Sequence, residues 1–79
     1  MPRFYFDMHD GQSEHIDHTG TILRNQDEAK DQATRALTEM AADYVPGDGP
    51  QRNLEIRVRG ENSEPLLELT LKFQVRSTT

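Results

Sequence analysis

Two alternating runs near the C-terminus leave this chain little freedom of fold. Over Asn53–Arg59, Leu54, Ile56 and Val58 alternate with Glu55, Arg57 and Arg59. Over Leu66–Arg76, Leu67, Leu69, Leu71, Phe73 and Val75 alternate with Glu68, Thr70, Lys72, Gln74 and Arg76. A period of two is the signature of a strand with one buried face. Gly60–Glu64, with Asn62-Ser63 at its tip, reads as the turn between them. A loop at 61–64 sets Val58 opposite Leu67, Ile56 opposite Leu69 and Arg57 opposite Glu68. Burial and charge thus agree on one register. The hairpin then presents an apolar face that needs a cover, and Ser77-Thr78-Thr79 is expected to fray.

The cover is supplied by the segment after Asn25. Ala29, Ala33, Ala36, Leu37, Met40, Ala41 and Tyr44 form one stripe at helical spacing. Asn25 is a favourable N-cap with Glu28 three residues on, a variant of the capping box. Asp27, Glu28 and Asp31 load the first turns with negative charge, which suits the positive end of the helix dipole. Pro46-Gly47 ends the helix and Asp48-Gly49-Pro50 continues the loop. The many alanines let the helix sit close to a sheet.

The N-terminal third is a second hairpin. Phe4, Phe6 and Met8 alternate with Tyr5, Asp7 and His9, predicting a strand over Arg3–His9. Asp10-Gly11 is a hairpin-turn signal, and Glu14–His18 is the expected return strand. A two-residue turn would put Ile16 opposite Tyr5 and Asp7 opposite Glu14, a like-charge pair. A loop one residue longer, or three longer, pairs Phe6 with Ile16, Asp7 with His15 and Tyr5 with Asp17. That register buries the apolar residue and is the preferred one. It sends Asp7, His9, His15 and Asp17 to the outer face and leaves His18 on the inner side opposite Phe4. Thr19-Gly20-Thr21 breaks the strand, and Ile22-Leu23 reads as a buried connection.

The order is therefore β–β–α–β–β, an α+β domain spanning 1–79 with one helix on one face of a four-stranded, mainly antiparallel sheet. The long strand at 66–76 is expected inside the sheet beside the first strand. The expected core is Phe4, Phe6, Met8, Ile16, Leu23, Ala33, Leu37, Met40, Leu54, Ile56, Val58, Leu67, Leu69, Leu71 and Phe73.

Size and charge then narrow the function. A chain of 79 residues buries only roughly 60–65% of its unfolded surface, so its core is thin and a homodimer is an open option. Apolar residues make up 33% and mean hydropathy is -0.87, but their patterning argues against disorder. Cysteine is absent, which excludes disulfide staples, thiolate zinc sites and thiol nucleophiles, and fits a cytoplasmic location. The segment MPRFYFDMHD meets acidic residues too early for a signal-peptide core. No apolar run approaches the roughly 18–20 residues of a membrane span. A net charge of -5 works against general nucleic-acid binding.

The start PRFYFD, the Asp10-Gly11 turn, the Asp17-x-x-Gly20-Thr21 step, the alanine-rich helix and the leucine-alternating last strand resemble a group of short bacterial proteins. They are of the kind found in rhizobia, and are catalogued as a domain of unknown function. The resemblance covers nearly the whole chain. Its motifs are turn and core signatures; it implies a fold and carries over no catalytic residue. His15 and His18 lie outside its pattern.

The residues bear on four functional classes. Asp7, His9, His15 and Asp17 bear metal-competent groups, but His15 and His18 are three apart, which on a strand splits them between faces. The same histidines could shuttle protons, yet no G-x-S-x-G, P-loop or G-x-G-x-x-G accompanies them and a one-helix sheet offers little concavity. Tyr5, Arg57, Arg59, Lys72 and Arg76 would line an RNA-contacting open face. One aromatic ring and interspersed carboxylates are poor equipment for stacking and phosphate neutralisation. The favoured reading is a small non-catalytic interaction domain that needs no cofactor and binds a protein partner or a second copy of itself. Its alternatives are the nucleic-acid module and a weak metal-dependent site at the first hairpin.

Overall fold

A computed structural model of the chain describes residues 1–44 and 51–78. The Pro46-Gly47 helix stop and the loop at 48–50 lie outside the described residues, as do the Tyr44 side chain and Thr79. The elements in order are β1 (Arg3–His9), β2 (Glu14–His15), β3 (Thr21–Ile22), α1 (Gln26–Tyr44), β4 (Gln51–Arg59) and β5 (Pro65–Gln74). The β–β–α–β–β order holds, with one more short strand than expected. The sheet is antiparallel and runs β2-β1-β4-β5, with β3 also on β1.

The C-terminal hairpin adopts the register read from its pattern: Val58 faces Leu67, Ile56 faces Leu69 and Arg57 faces Glu68. Ser63 takes a positive φ of 63° at the turn, while the Ser63 amide donates to the Gly60 carbonyl and the Gly60 amide to the Glu64 carbonyl. A register shift between Val58 and Arg59 makes Leu66 an extra residue on β5, and Leu66 joins Leu67 against the core.

Strand order departs from expectation. β4, not β5, is the interior strand beside β1, and β5 forms an edge. Alternation reports a strand with one buried face; it does not distinguish an interior strand from an edge strand. Burial follows position: Leu54, Ile56 and Val58 of β4 are at most 1% exposed, whereas Leu67 and Leu69 of β5 are only partly buried.

The helix begins as its cap dictates. The Asn25 side chain accepts the Glu28 amide at 2.9 Å, and Glu28 reaches back to the Arg24 amide and guanidinium. This places the reciprocal half of the capping box one residue before the cap. Ala29, Ala33 and Leu37 are buried, with Ala36, Met40 and Ala41 partly so. The helix packs over β4 and β5, off-centre on the sheet. Three expected core residues lie outside the core: Met8 at 36% and Ile16 at 45% exposed on the side the helix leaves open, and Leu71 at 38% on the edge strand β5. Phe73 is half-buried.

The first hairpin also corrects expectation. The observed pairs are Met8 with His15 and His9 with Glu14, not Phe6 with Ile16 and Asp7 with His15. The loop is four residues long because the Asp10 carboxylate accepts the amides of Gln12 and Ser13 at 3.0 and 2.8 Å, and the Asp10 amide donates to the Ser13 carbonyl. Local Asx chemistry outweighs the burial of one isoleucine, which lies just beyond the two-residue strand. Beyond His15 the chain leaves β1 and returns as β3, pairing Thr21 with Phe4 and Ile22 with Arg3. Thr21, not His18, therefore stands opposite Phe4. Leu23 is buried while Ile22 is exposed, so only one residue of the expected buried connection is buried.

Candidate functional site

Two features hold the polar and apolar residues unclaimed by the core. The first lies on the face away from the helix, where Tyr5 and Asp7 of β1 stand beside Arg59 and Arg57 of β4. Arg59 grips Asp7 with both ends of its fork, Nε to Oδ2 at 2.7 Å and a terminal nitrogen to Oδ1 at 3.2 Å. The same terminal nitrogen donates to the Asp17 carbonyl at 2.7 Å. The guanidinium lies 4.7 Å from the Tyr5 ring centroid. Asp7 Oδ1 also accepts the Asp17 amide at 2.9 Å.

Asp17 completes this clasp. Its Oδ2 accepts the Phe6 amide at 3.0 Å, and its Oδ1 accepts the amides of Thr19 and Gly20 at 3.0 and 2.9 Å. Between β2 and β3 the edge of β1 has no strand beside it, and the Asp17 carboxylate takes the place of the missing ladder bond. Gly20 follows at φ 75°. A Cβ there would fall 2.8 Å from Arg3 Cγ and 2.9 Å from Tyr5 Cε2, so the step requires glycine.

The electrostatics follow from these contacts. Burial alone would raise the Asp7 carboxyl; the Arg59 hydrogen bond, the Asp17 amide and the Arg59 charge outweigh it and hold the group below its ordinary value. Burial likewise works to raise Asp17, and the Gly20, Phe6 and Thr19 amides with the Arg59 charge bring it below the ordinary value. Both carboxylates are ionised at neutral pH and their oxygens are occupied by in-chain donors. A clasp of this kind fixes a chain path; it has no proton to give near neutrality.

The metal candidates do not converge. Asp7 and Asp17 serve the clasp, His15 sits across from Met8 on the helix side, and His9 Nδ1 accepts the Gly11 amide at 3.2 Å. Among the described residues no group of three or more His, Asp or Glu is placed to hold a metal ion. The anticipated Asp7–His15 pair is replaced by Asp7–Arg59. The five nucleic-acid candidates divide differently. Arg59 is bound to Asp7 over Tyr5, Arg57 pairs with Glu55 and lies 3.8 Å from Glu68, and Lys72 and Arg76 are exposed.

The second feature is a groove on the helix side, opened by the off-centre helix. It occupies about 290 Å³ between α1 and the β1–β2 side of the sheet, with Phe6, Met8, Ile16, Gln32 and Ala36 in its walls. A second hollow of about 240 Å³ adjoins it toward the hairpin tip, sharing Met8 and His15 and reaching Met40. The alternating pattern assigns Met8 and Ile16 to the core, so the sequence carries no signal for this groove. The clasp had a legible signal: Asp followed by polar or glycine residues at +2 and +3, an Asx-turn pattern that recurs at Asp10 and Asp17.

A family model described as a domain of unknown function (DUF6894) matches residues 3–72. The chain belongs to that family. The match takes in both the clasp and the groove. No curated protein and no solved structure matches the chain. Among the described residues no helix is long and apolar enough to cross a membrane.

Proposed function

We propose that this family member is a small, non-catalytic interaction domain of the cytoplasm that docks a protein partner through the groove beside α1. The observation that carries this is the helix position: set over β4 and β5, it leaves Met8, on the sheet face that otherwise forms the core, and Ile16, just beyond β2, 36% and 45% exposed in one groove. Adjacent apolar side chains left open at a concave site favour an apolar segment of another protein. A non-catalytic role is supported by the clasp, whose ionised carboxylates are spent on backbone amides and Arg59. A protein partner is favoured over nucleic acid because Arg57 and Arg59 are neutralised by carboxylates of the same chain.

The test is site-directed photo-crosslinking in the cell of origin, with benzoylphenylalanine at position 16 and, as control, at Glu39 on the exposed helix face. The expected result is a discrete light-dependent adduct from position 16 that Glu39 does not give and that Met8→Glu abolishes. Absence of an adduct from position 16, or equal labelling from both positions, would overturn the proposal.

A further inference from the structure

We infer that β5 is a self-complementary edge through which two copies of this chain pair about a two-fold axis at Thr70. This site is at the opposite edge of the sheet from the groove, so it stands or falls independently of the groove reading. β5 ends the strand order, and its outer edge carries unpaired backbone donors and acceptors among the described residues. Such an edge either recruits a strand or is blunted against one.

The sequence of β5 decides which. In an antiparallel pairing centred on Thr70, the regular run 67–73 meets its own reverse: Leu67 faces Phe73 of the other copy, Glu68 faces Lys72, Leu69 faces Leu71 and Thr70 faces Thr70. Every apolar residue meets an apolar one, and each charge meets its opposite, twice over by symmetry. Shifting by a single residue sets apolar against polar throughout. A centre at Leu69 puts Lys72 opposite Leu66 and Glu68 opposite Thr70. A centre at Leu71 puts Glu68 opposite Gln74 and Lys72 opposite Thr70. Both leave the two charges unmatched.

Exposure agrees with this register. Leu71 is 38% exposed and would gain Leu69 of the other copy as its neighbour. Lys72 has no ion-pair partner among the described residues, and Glu68 is held loosely by Arg57, with its side chain 64% exposed. The two sheets would join into one continuous sheet, with the helices on the same face. Bound only along one edge, the pair is expected to be weak and concentration-dependent.

The absence of cysteine in the chain makes the register directly readable. Directly opposed residues in an antiparallel pair have Cα atoms about 4.5–5.5 Å apart, within the span a disulfide bridges. Thr70→Cys is therefore expected to give a covalent dimer under mild oxidation. Lys72→Cys or Glu68→Cys alone should crosslink far more slowly, while a mixture of those two should form the mixed dimer. Sedimentation equilibrium of the full chain, from micromolar to millimolar concentration, should rise toward twice the 9.1 kDa chain mass. Lys72→Glu opposes like charges at two symmetric positions and should weaken association about tenfold; the double variant Glu68→Lys, Lys72→Glu should restore it. A monomer at every concentration, with Lys72 acting as a blunting charge, overturns the inference. So does a dimer in which Thr70→Cys crosslinks no faster than Lys72→Cys.

Discussion

Replacing Asp17 with alanine removes the acceptor for three backbone amides at once. The Phe6 and Gly20 amides are part-buried, and the Thr19 amide is exposed and can turn to water. A hydrogen bond to a charged group contributes roughly 1.5–3 kcal/mol when well shielded. Solvent reaches this edge, so about 1 kcal/mol is assigned to each of the two part-buried bonds and none to the third, a loss of about 2 kcal/mol. At about 4–8 °C per kcal/mol for a domain of this size, the midpoint should fall by roughly 8–16 °C. Asp17→Asn keeps Oδ1 for Thr19 and Gly20 but turns an amide donor toward the Phe6 N–H, so about half the loss is expected. Urea denaturation followed by circular dichroism measures both, with amide exchange at Phe6 as the local readout. An Asp17→Ala variant within about 0.5 kcal/mol of the wild type, with Phe6 exchange unchanged, would refute the claim that this carboxylate stands in for a strand.

The same clasp sets an acid response. The folded-state values of Asp7 and Asp17 lie below the ordinary 3.8, so the unfolded chain binds more protons in that window; their stabilisation is complete above the unfolded value and is lost as pH falls through the folded values. Stability attributable to them should be flat at neutral pH and decline below about pH 4–5, and Asp17→Asn should flatten that decline in urea midpoints measured against pH. Gly20→Ala combines a positive φ of 75° with close approach to Arg3 and Tyr5 and should cost about 2–3 kcal/mol. Gly11→Ala, at φ 94° and with only an ordinary 3.8 Å contact to the Asn53 carbonyl oxygen, should cost about 1 kcal/mol by thermal melts of both. Asn25→Ala removes the helix cap and should cost about 1 kcal/mol, with exchange quickening first at the Glu28 amide.

The clasp was partly legible in the chain, and the reasons differ residue by residue. Asp17 and Gly20 carry a local signal, an Asx turn followed by a glycine, because their partners Thr19 and Phe6 are fixed by short-range geometry or by one strand crossing. Arg59 carries none. It joins Asp7 from 52 residues away because β4 lies beside β1, and the alternating pattern that identified β4 as a strand is equally compatible with its being an edge. The Asp7–His15 pair fails on a different, local ground: burial of Ile16 favours one register, but Asp10 sets another through the loop.

The sequence by itself determined the elements that rest on local periodicity and capping. The α1 stripe with its Asn25 cap, the two strands of the C-terminal hairpin and their shared register all follow from patterns contained within each segment, since side-chain period and turn chemistry act over a few residues. Tertiary structure alone decided what depends on where elements settle against each other. It made β4 interior and β5 an edge, and it slid α1 off-centre. It thereby turned Met8 and Ile16 from core residues into the wall of a groove. Hydrophobic burial is non-directional, so an apolar face in the sequence states that cover is needed without stating which part of it one short helix will cover.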